Sequence, residues 1–91
     1  MDKISYKFTV EGTVQGVGFR YHTCHEGLKR GLTGYAMNLD NGDVEVVACG
    51  SESQLEDFIE WLKIGPRMSR VTKLTWDEVP FKAYKGFQIT Y

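Results

Sequence analysis

An α+β sandwich in the order β-α-β-β-α-β, finished by a short C-terminal strand, is the architecture this 91-residue chain predicts. Three observations lead to it. Apolar and polar residues alternate near both ends of the chain, an Asn-Gly pair separates two β-prone runs in the middle, and a proline-free stretch suited to a helix follows both the first strand and the hairpin. A hydrophobic content of 42% supplies the core of one domain, residues 1–91, and no linker, repeat or low-complexity segment divides it.

Residues 4–10 form the first strand, with Ile4, Tyr6, Phe8 and Val10 on one face and Ser5, Lys7 and Thr9 on the other. Residues 19–30, FRYHTCHEGLKR, suit a helix that ends in basic residues before Gly31, where cations favour the C-terminal dipole and glycine favours the cap. The amphipathicity of this helix is weak, and Gly27 weakens the helix further. Residues 32–39 and 43–49 flank Asp40-Asn41-Gly42 and pair as an antiparallel hairpin.

Ser51, with Gln54 three residues on, reads as a capping box. Leu55, Phe58, Ile59 and Leu62 follow at helical spacing until Gly65-Pro66 ends the helix. Residues 71–76 read as a further strand, 82–86 as a loop, and Phe87, Ile89 and Tyr91 alternate as the last strand. Burying every apolar face at once gives the ferredoxin-like βαββαβ sandwich, an antiparallel sheet with two helices packed on one face.

Eleven Lys plus Arg against twelve Asp plus Glu leave a formal net charge of -1, so no bulk field draws the chain to nucleic acid or to an anionic membrane. Any anion site must be local. The start, MDKISYKFTV, is interrupted by charge and has no apolar run of signal-peptide or membrane-span length, which predicts a cytoplasmic, free-standing protein. Cys24 and Cys49 fit no CxxC motif and read as two buried thiols, with a disulfide between them left open.

The stretch Gly12-Thr13-Val14-Gln15-Gly16-Val17-Gly18-Phe19-Arg20 joins the first strand to the first helix. Glycines there let the backbone curl with its N–H groups inward, and the helix N-terminus adds partial positive charge, so the junction can cradle an anion. Arg20 falls in the first helical turn, where a cation opposes the dipole unless an anion is bound, and a guanidinium can grip two phosphate oxygens at once. Neither GxGxxG nor GK[ST] is present, which argues against dinucleotide and nucleoside-triphosphate loops. The pattern alone leaves a structural turn and an anion site both open.

GTVQGVGFR at 12–20, Gly34-Tyr35-Ala36-Met37-Asn38, Asp43-Val44-Glu45-Val46, Gly65-Pro66 and Phe87-Gln88-Ile89-Thr90-Tyr91 together resemble the acylphosphatase family over essentially the whole chain. The VQGVGFR block followed by a strand asparagine is the most specific part of the likeness. The resemblance implies a metal-independent hydrolase, without cofactor, that acts on small-molecule acyl phosphates and releases a carboxylate and inorganic phosphate. It implies that Arg20 binds the phosphoryl group, that Asn38 orients the attacking water, and that backbone N–H groups of Gln15, Gly16, Val17, Gly18 and Phe19 surround the phosphate. A monomer is the simplest state for such a chain. Ala36 stands where the family commonly has valine, a departure in packing rather than in chemistry.

Other constellations have plainer explanations. His22 and His25, with Cys24 between them, share a helix face but lack further ligands, so no metal site is expected. Tyr35, Trp61, Trp76, Phe81 and Tyr84 suggest base stacking only on an RNA-binding sheet, and the RNP1 pattern is absent. Glu45, Glu52, Glu56, Asp57 and Glu60 mostly mark the solvated side of the second helix and are assigned no catalysis. A binding module of the same fold, which holds a phosphorylated group without turning it over, stands as the competing class; it needs Arg20 and the loop but has no use for a water-positioning Asn38.

Overall fold

A computed structural model describes residues 2–91, built as β1 (Ile4–Thr13), α1 (Phe19–Lys29), β2 (Thr33–Asn38), β3 (Val44–Gly50), α2 (Glu52–Ile64), β4 (Arg70–Val79) and β5 (Phe87–Thr90). The sheet order is β4-β1-β3-β2-β5. The pairings β1–β3, β1–β4 and β2–β3 are antiparallel, but β5 docks parallel to β2, so the sheet is mixed at one edge rather than antiparallel throughout as expected.

β1 outruns the alternation that predicts it. Its pairing with β4 shifts register between Glu11 and Gly12, and the strand continues past this bulge to Thr13. Gly12 serves the bulge rather than the loop beyond it, because a Cβ there would collide with the Arg70 carbonyl.

Both helices cover one face of the sheet. Phe8 and Val10 of β1, Val44, Val46 and Ala48 of β3 and Ala36 of β2 meet Phe19 and Cys24 of α1 and Leu55, Phe58 and Leu62 of α2 in one buried cluster. Phe58 packs edge-on to Phe8 and Phe87 at 5.9 and 5.8 Å, so one ring of α2 joins β1 to β5. Trp61 stacks on Phe58 at the edge of the core, and Trp76, 38% exposed, packs against Phe8 at the margin of the sheet.

The ends of α1 follow its sequence. Leu32 N–H donates to the Gly27 carbonyl and Gly31 N–H to that of Leu28, with Gly31 at φ 78, the paired bonds of a glycine-terminated helix. Gly27, a weak point by propensity, has a packing role: a Cβ there would run into the Phe87 ring, so the missing side chain lets β5 approach the helix. α2 starts with the capping box of Ser51 and Gln54 and stops at Gly65. Arg30 ties the helices together, its guanidinium donating to Glu26 of α1 and Asp57 of α2.

Residues 80–86 lead from one edge of the sheet to the other. Crossing four strand spacings takes about 19 Å, close to the reach of seven extended residues, about 23 Å. The segment passes over the face opposite the helices, where Tyr84 meets Tyr35 edge-on at 5.6 Å. Beneath it, Ser5 and Cys49 are buried at 1% and 2% exposure and share a 2.6 Å hydrogen bond, although strand alternation puts them on the side away from the core.

Candidate active site

The loop between β1 and α1 turns on two glycines. Gly16 at φ 75 and Gly18 at φ 77 hold left-handed conformations that cost other residues about 1–2 kcal/mol, and Gly18 caps α1 with no side-chain hydrogen bond. Among the described residues, no protein acceptor takes the backbone N–H of any residue from 15 to 21; the first loop-to-helix bond is His22 N–H to the Gly18 carbonyl at 3.1 Å. A run of unpaired amides at a helix N-terminus, with no acidic side chain in the first turn, leaves the local charge positive.

Beside this run lies a pocket of about 140 Å³ lined by Gly16, Gly18, Phe19 and Arg20 of the predicted set, with Val14, Tyr21 and Ile89. Its volume lies well below the roughly 300–1,000 Å³ of drug-sized ligand sites and suits a phosphoryl group. The Arg20 guanidinium stands over the Tyr91 ring, 5.2 Å from its centroid, a cation–π contact that limits its freedom at the pocket edge. Tyr21, Ile89 and Tyr91 are absent from the predicted set. Only the alternation of β5 hinted at Ile89, and nothing local indicates that β5 ends beside Arg20.

Gln15 plays a part its sequence position does not announce. Its side-chain amide donates to the Leu39 and Asp43 carbonyls at 2.8 Å each. These bonds tie the glycine loop to the β2–β3 hairpin, whose own turn is closed by Leu39 N–H to the Asp43 carbonyl and Gly42 N–H to the Leu39 carbonyl. Asn38 sits at the last position of β2, opposite Val44 on the helix-facing side of the sheet and next in sequence to the tethered Leu39. Its Oδ1 is buried with no hydrogen-bond partner among the described residues, a state shared with Thr23 Oγ1 of α1. Gln15, Val17 and Asn38 do not line the pocket itself.

Around the site, His22 lies under the loop, its ring 3.6 Å from where a Gly18 Cβ would stand. His25 instead stacks on Tyr21 at 6.5 Å. No cluster of His, Cys, Asp or Glu with metal-binding spacing occurs among the described residues. Both cysteines are free thiols. Burial pushes the Cys24 thiol up to about 11, against the opposing pull of Arg20 and a hydrogen bond with the Ala36 backbone, so Cys24 is a poor nucleophile. A larger hollow of about 240 Å³, lined by Lys63, Val71, Thr72, Lys73, Leu74 and Trp76, shares no residue with the pocket at Arg20.

Comparison with known proteins agrees with this geometry. The chain matches the Acylphosphatase family model over residues 6–89. It is 58% identical to an acylphosphatase of Vibrio parahaemolyticus over 83 residues, 91% of this chain and 92% of that protein. The solved acylphosphatase of Bacillus subtilis has a TM-score of 0.93 at 40% identity, covering 97% of this chain and 99% of that one. That of Coxiella burnetii has a TM-score of 0.93 at 36% identity, covering 98% and 94%. No helix among the described residues is long and apolar enough to cross a membrane. With a glycine cradle, an adjoining arginine and near-complete coverage by family and structural relatives alike, this chain belongs to the acylphosphatase family, the hydrolases that split acyl phosphates into a carboxylate and inorganic phosphate.

Proposed function

We propose that this chain hydrolyses acyl phosphates with Arg20 and the backbone N–H groups of residues 15–19 holding the phosphoryl oxygens and Asn38 orienting the attacking water. The observation that carries the reading is the run of backbone donors from 15 to 21 without a protein acceptor, beside a pocket that Gly16, Gly18, Phe19 and Arg20 line. Such donors cost stability unless an anion or water takes them, and a phosphoryl group accepts from several at once.

Phosphoryl transfer needs positioning and stabilisation of the equatorial oxygens, and a carboxylate is a good leaving group. The water oxygen attacks phosphorus in line, the bond from phosphorus to the carboxylate oxygen breaks, and the water's proton passes to a phosphoryl oxygen. The side-chain amide of Asn38 can hold a water in line through its hydrogen-bonding groups. No step in this sequence requires a metal ion or a strong general base. The single domain acts as a cytoplasmic monomer, and the loop grips the phosphoryl group of the substrate.

Hydrolysis of benzoyl phosphate in the presence of a chelator tests the reading. Wild-type turnover persists, whereas Asn38→Ala loses about 10²- to 10³-fold in kcat while still binding inorganic phosphate. Unchanged turnover in Asn38→Ala removes that residue from the reaction, and phosphate binding without wild-type turnover indicates a binding module.

A further inference from the structure

One flank of α1 is left uncovered by the fold. Tyr21, His25 and Leu28 stand at i, i+4 and i+7, the spacing of a helical stripe, yet Tyr21 is 63% and Leu28 52% exposed. This outward stripe is why the apolar residues of α1 fail to gather on a single face. Cys24 and Phe87 form a buried floor beneath it, and with Ile89 the six residues enclose a groove of about 250 Å³.

The groove adjoins the phosphate pocket, and Tyr21 and Ile89 line both. Neither hollow is lined by a carboxylate, and the cation lies at the pocket end, in Arg20. An acyl group is joined to its phosphorus through a single oxygen, so it must leave the pocket through a wall close to the phosphoryl group. Tyr21 and Ile89 form the side that the pocket shares with the groove, whereas Gly16 and Gly18 present exposed backbone to water.

We infer that this groove is an acyl-binding subsite that takes a medium-length aliphatic or aromatic acyl group while the phosphoryl group sits at Arg20. The inference rests on the phosphate site proposed above. An acetyl or carbamoyl group is too short to enter, so the enzyme distinguishes acyl phosphates by the apolar length beyond the carbonyl. Leu28 sets that preference without touching the reacting atoms.

Acetyl, butyryl and hexanoyl phosphate share nearly the same leaving group, so rate differences along the series report binding rather than chemistry. The wild type shows KM falling along the series by roughly two- to fourfold for each methylene that leaves water, with kcat level. Leu28→Ser flattens the series and Leu28→Met restores it; Leu28 is half-exposed, so neither change threatens the fold. A flat series in the wild type, or a gradient that survives Leu28→Ser, overturns the subsite even while Arg20→Lys still lowers acetyl phosphate hydrolysis at least about tenfold. Acetyl phosphate turnover indifferent to both Arg20→Lys and Asn38→Ala overturns the phosphate site instead.

Discussion

Replacing Gln15 with leucine cuts the tie between the glycine loop and the β2–β3 hairpin while keeping a side chain of similar length. Two hydrogen bonds of 2.8 Å are lost, to the Leu39 and Asp43 carbonyls. The size of the loss depends on what those carbonyls retain. Leu39 O still accepts from Gly42 N–H at 3.2 Å and Asp43 O from Leu39 N–H at 2.8 Å, so neither becomes an orphaned acceptor. The cost is therefore that of two ordinary bonds, about 1–2 kcal/mol in all, rather than the larger penalty of stranded buried groups. For a domain of this size it lowers the thermal midpoint by roughly 5–15 °C. Urea unfolding with an unchanged m-value measures the stability loss, and kcat/KM for benzoyl phosphate falls with it, because the amide cradle is no longer held against the hairpin that carries Asn38. Wild-type stability in Gln15→Leu would refute the tether, and lowered stability with wild-type kcat/KM would refute its link to the site.

Other expectations follow from the same structure. Arg20→Lys keeps the charge but loses the two-pronged grip and the planar stacking on Tyr91, so kcat/KM falls at least about tenfold and inorganic phosphate inhibits less; a wild-type inhibition constant would count against a guanidinium on the phosphate. Gly27→Ala adds up to about 1 kcal/mol of helix propensity but drives a methyl into the buried Phe87 ring, a clash of about 1–3 kcal/mol, so chemical denaturation finds the variant less stable, and a more stable one contradicts the packing. Stability also falls as pH rises from 9 toward 11. The Cys24 thiol keeps its proton up to about 11 in the fold and loses it near 9.0 when unfolded, so the unfolded state binds fewer protons across that window. Tyr35, raised by burial and by its hydrogen bond to Glu45, steepens the alkaline end, and Cys24→Ala shallows the decline in urea titrations across that range.

Most elements were legible because their signals are local. The alternation of Ile4 to Val10, the Asn-Gly turn, the Ser51–Gln54 cap and the Gly31 stop each lie within a few residues, where backbone geometry is set by neighbours. The cradle was legible for the same reason, since Gly16, Gly18 and Arg20 occupy one short junction. Asn38 was singled out only through the resemblance, because a strand-end asparagine carries no local mark of function, and its role in the reaction stands as proposed. Gln15 read as one loop amide among five, since the carbonyls it grips lie 24 and 28 residues away. β1 ran past its alternation because a bulge needs β4 as a partner to be seen.

By itself the sequence determined the strands, helices and turns, the α+β class, and the placing of Gly16, Gly18 and Arg20 together at one strand-to-helix junction. Only the tertiary structure decided that β5 docks parallel to β2 and brings Ile89 and Tyr91 to Arg20, that residues 80–86 bury Ser5 and Cys49 on the far face, and that Gln15 fastens the loop to the hairpin. The division follows the range of the forces involved: dihedral preference and apolar periodicity act between near neighbours and are written along the chain, whereas strand partners, shared walls and exposed flanks depend on which surfaces meet when the whole core closes.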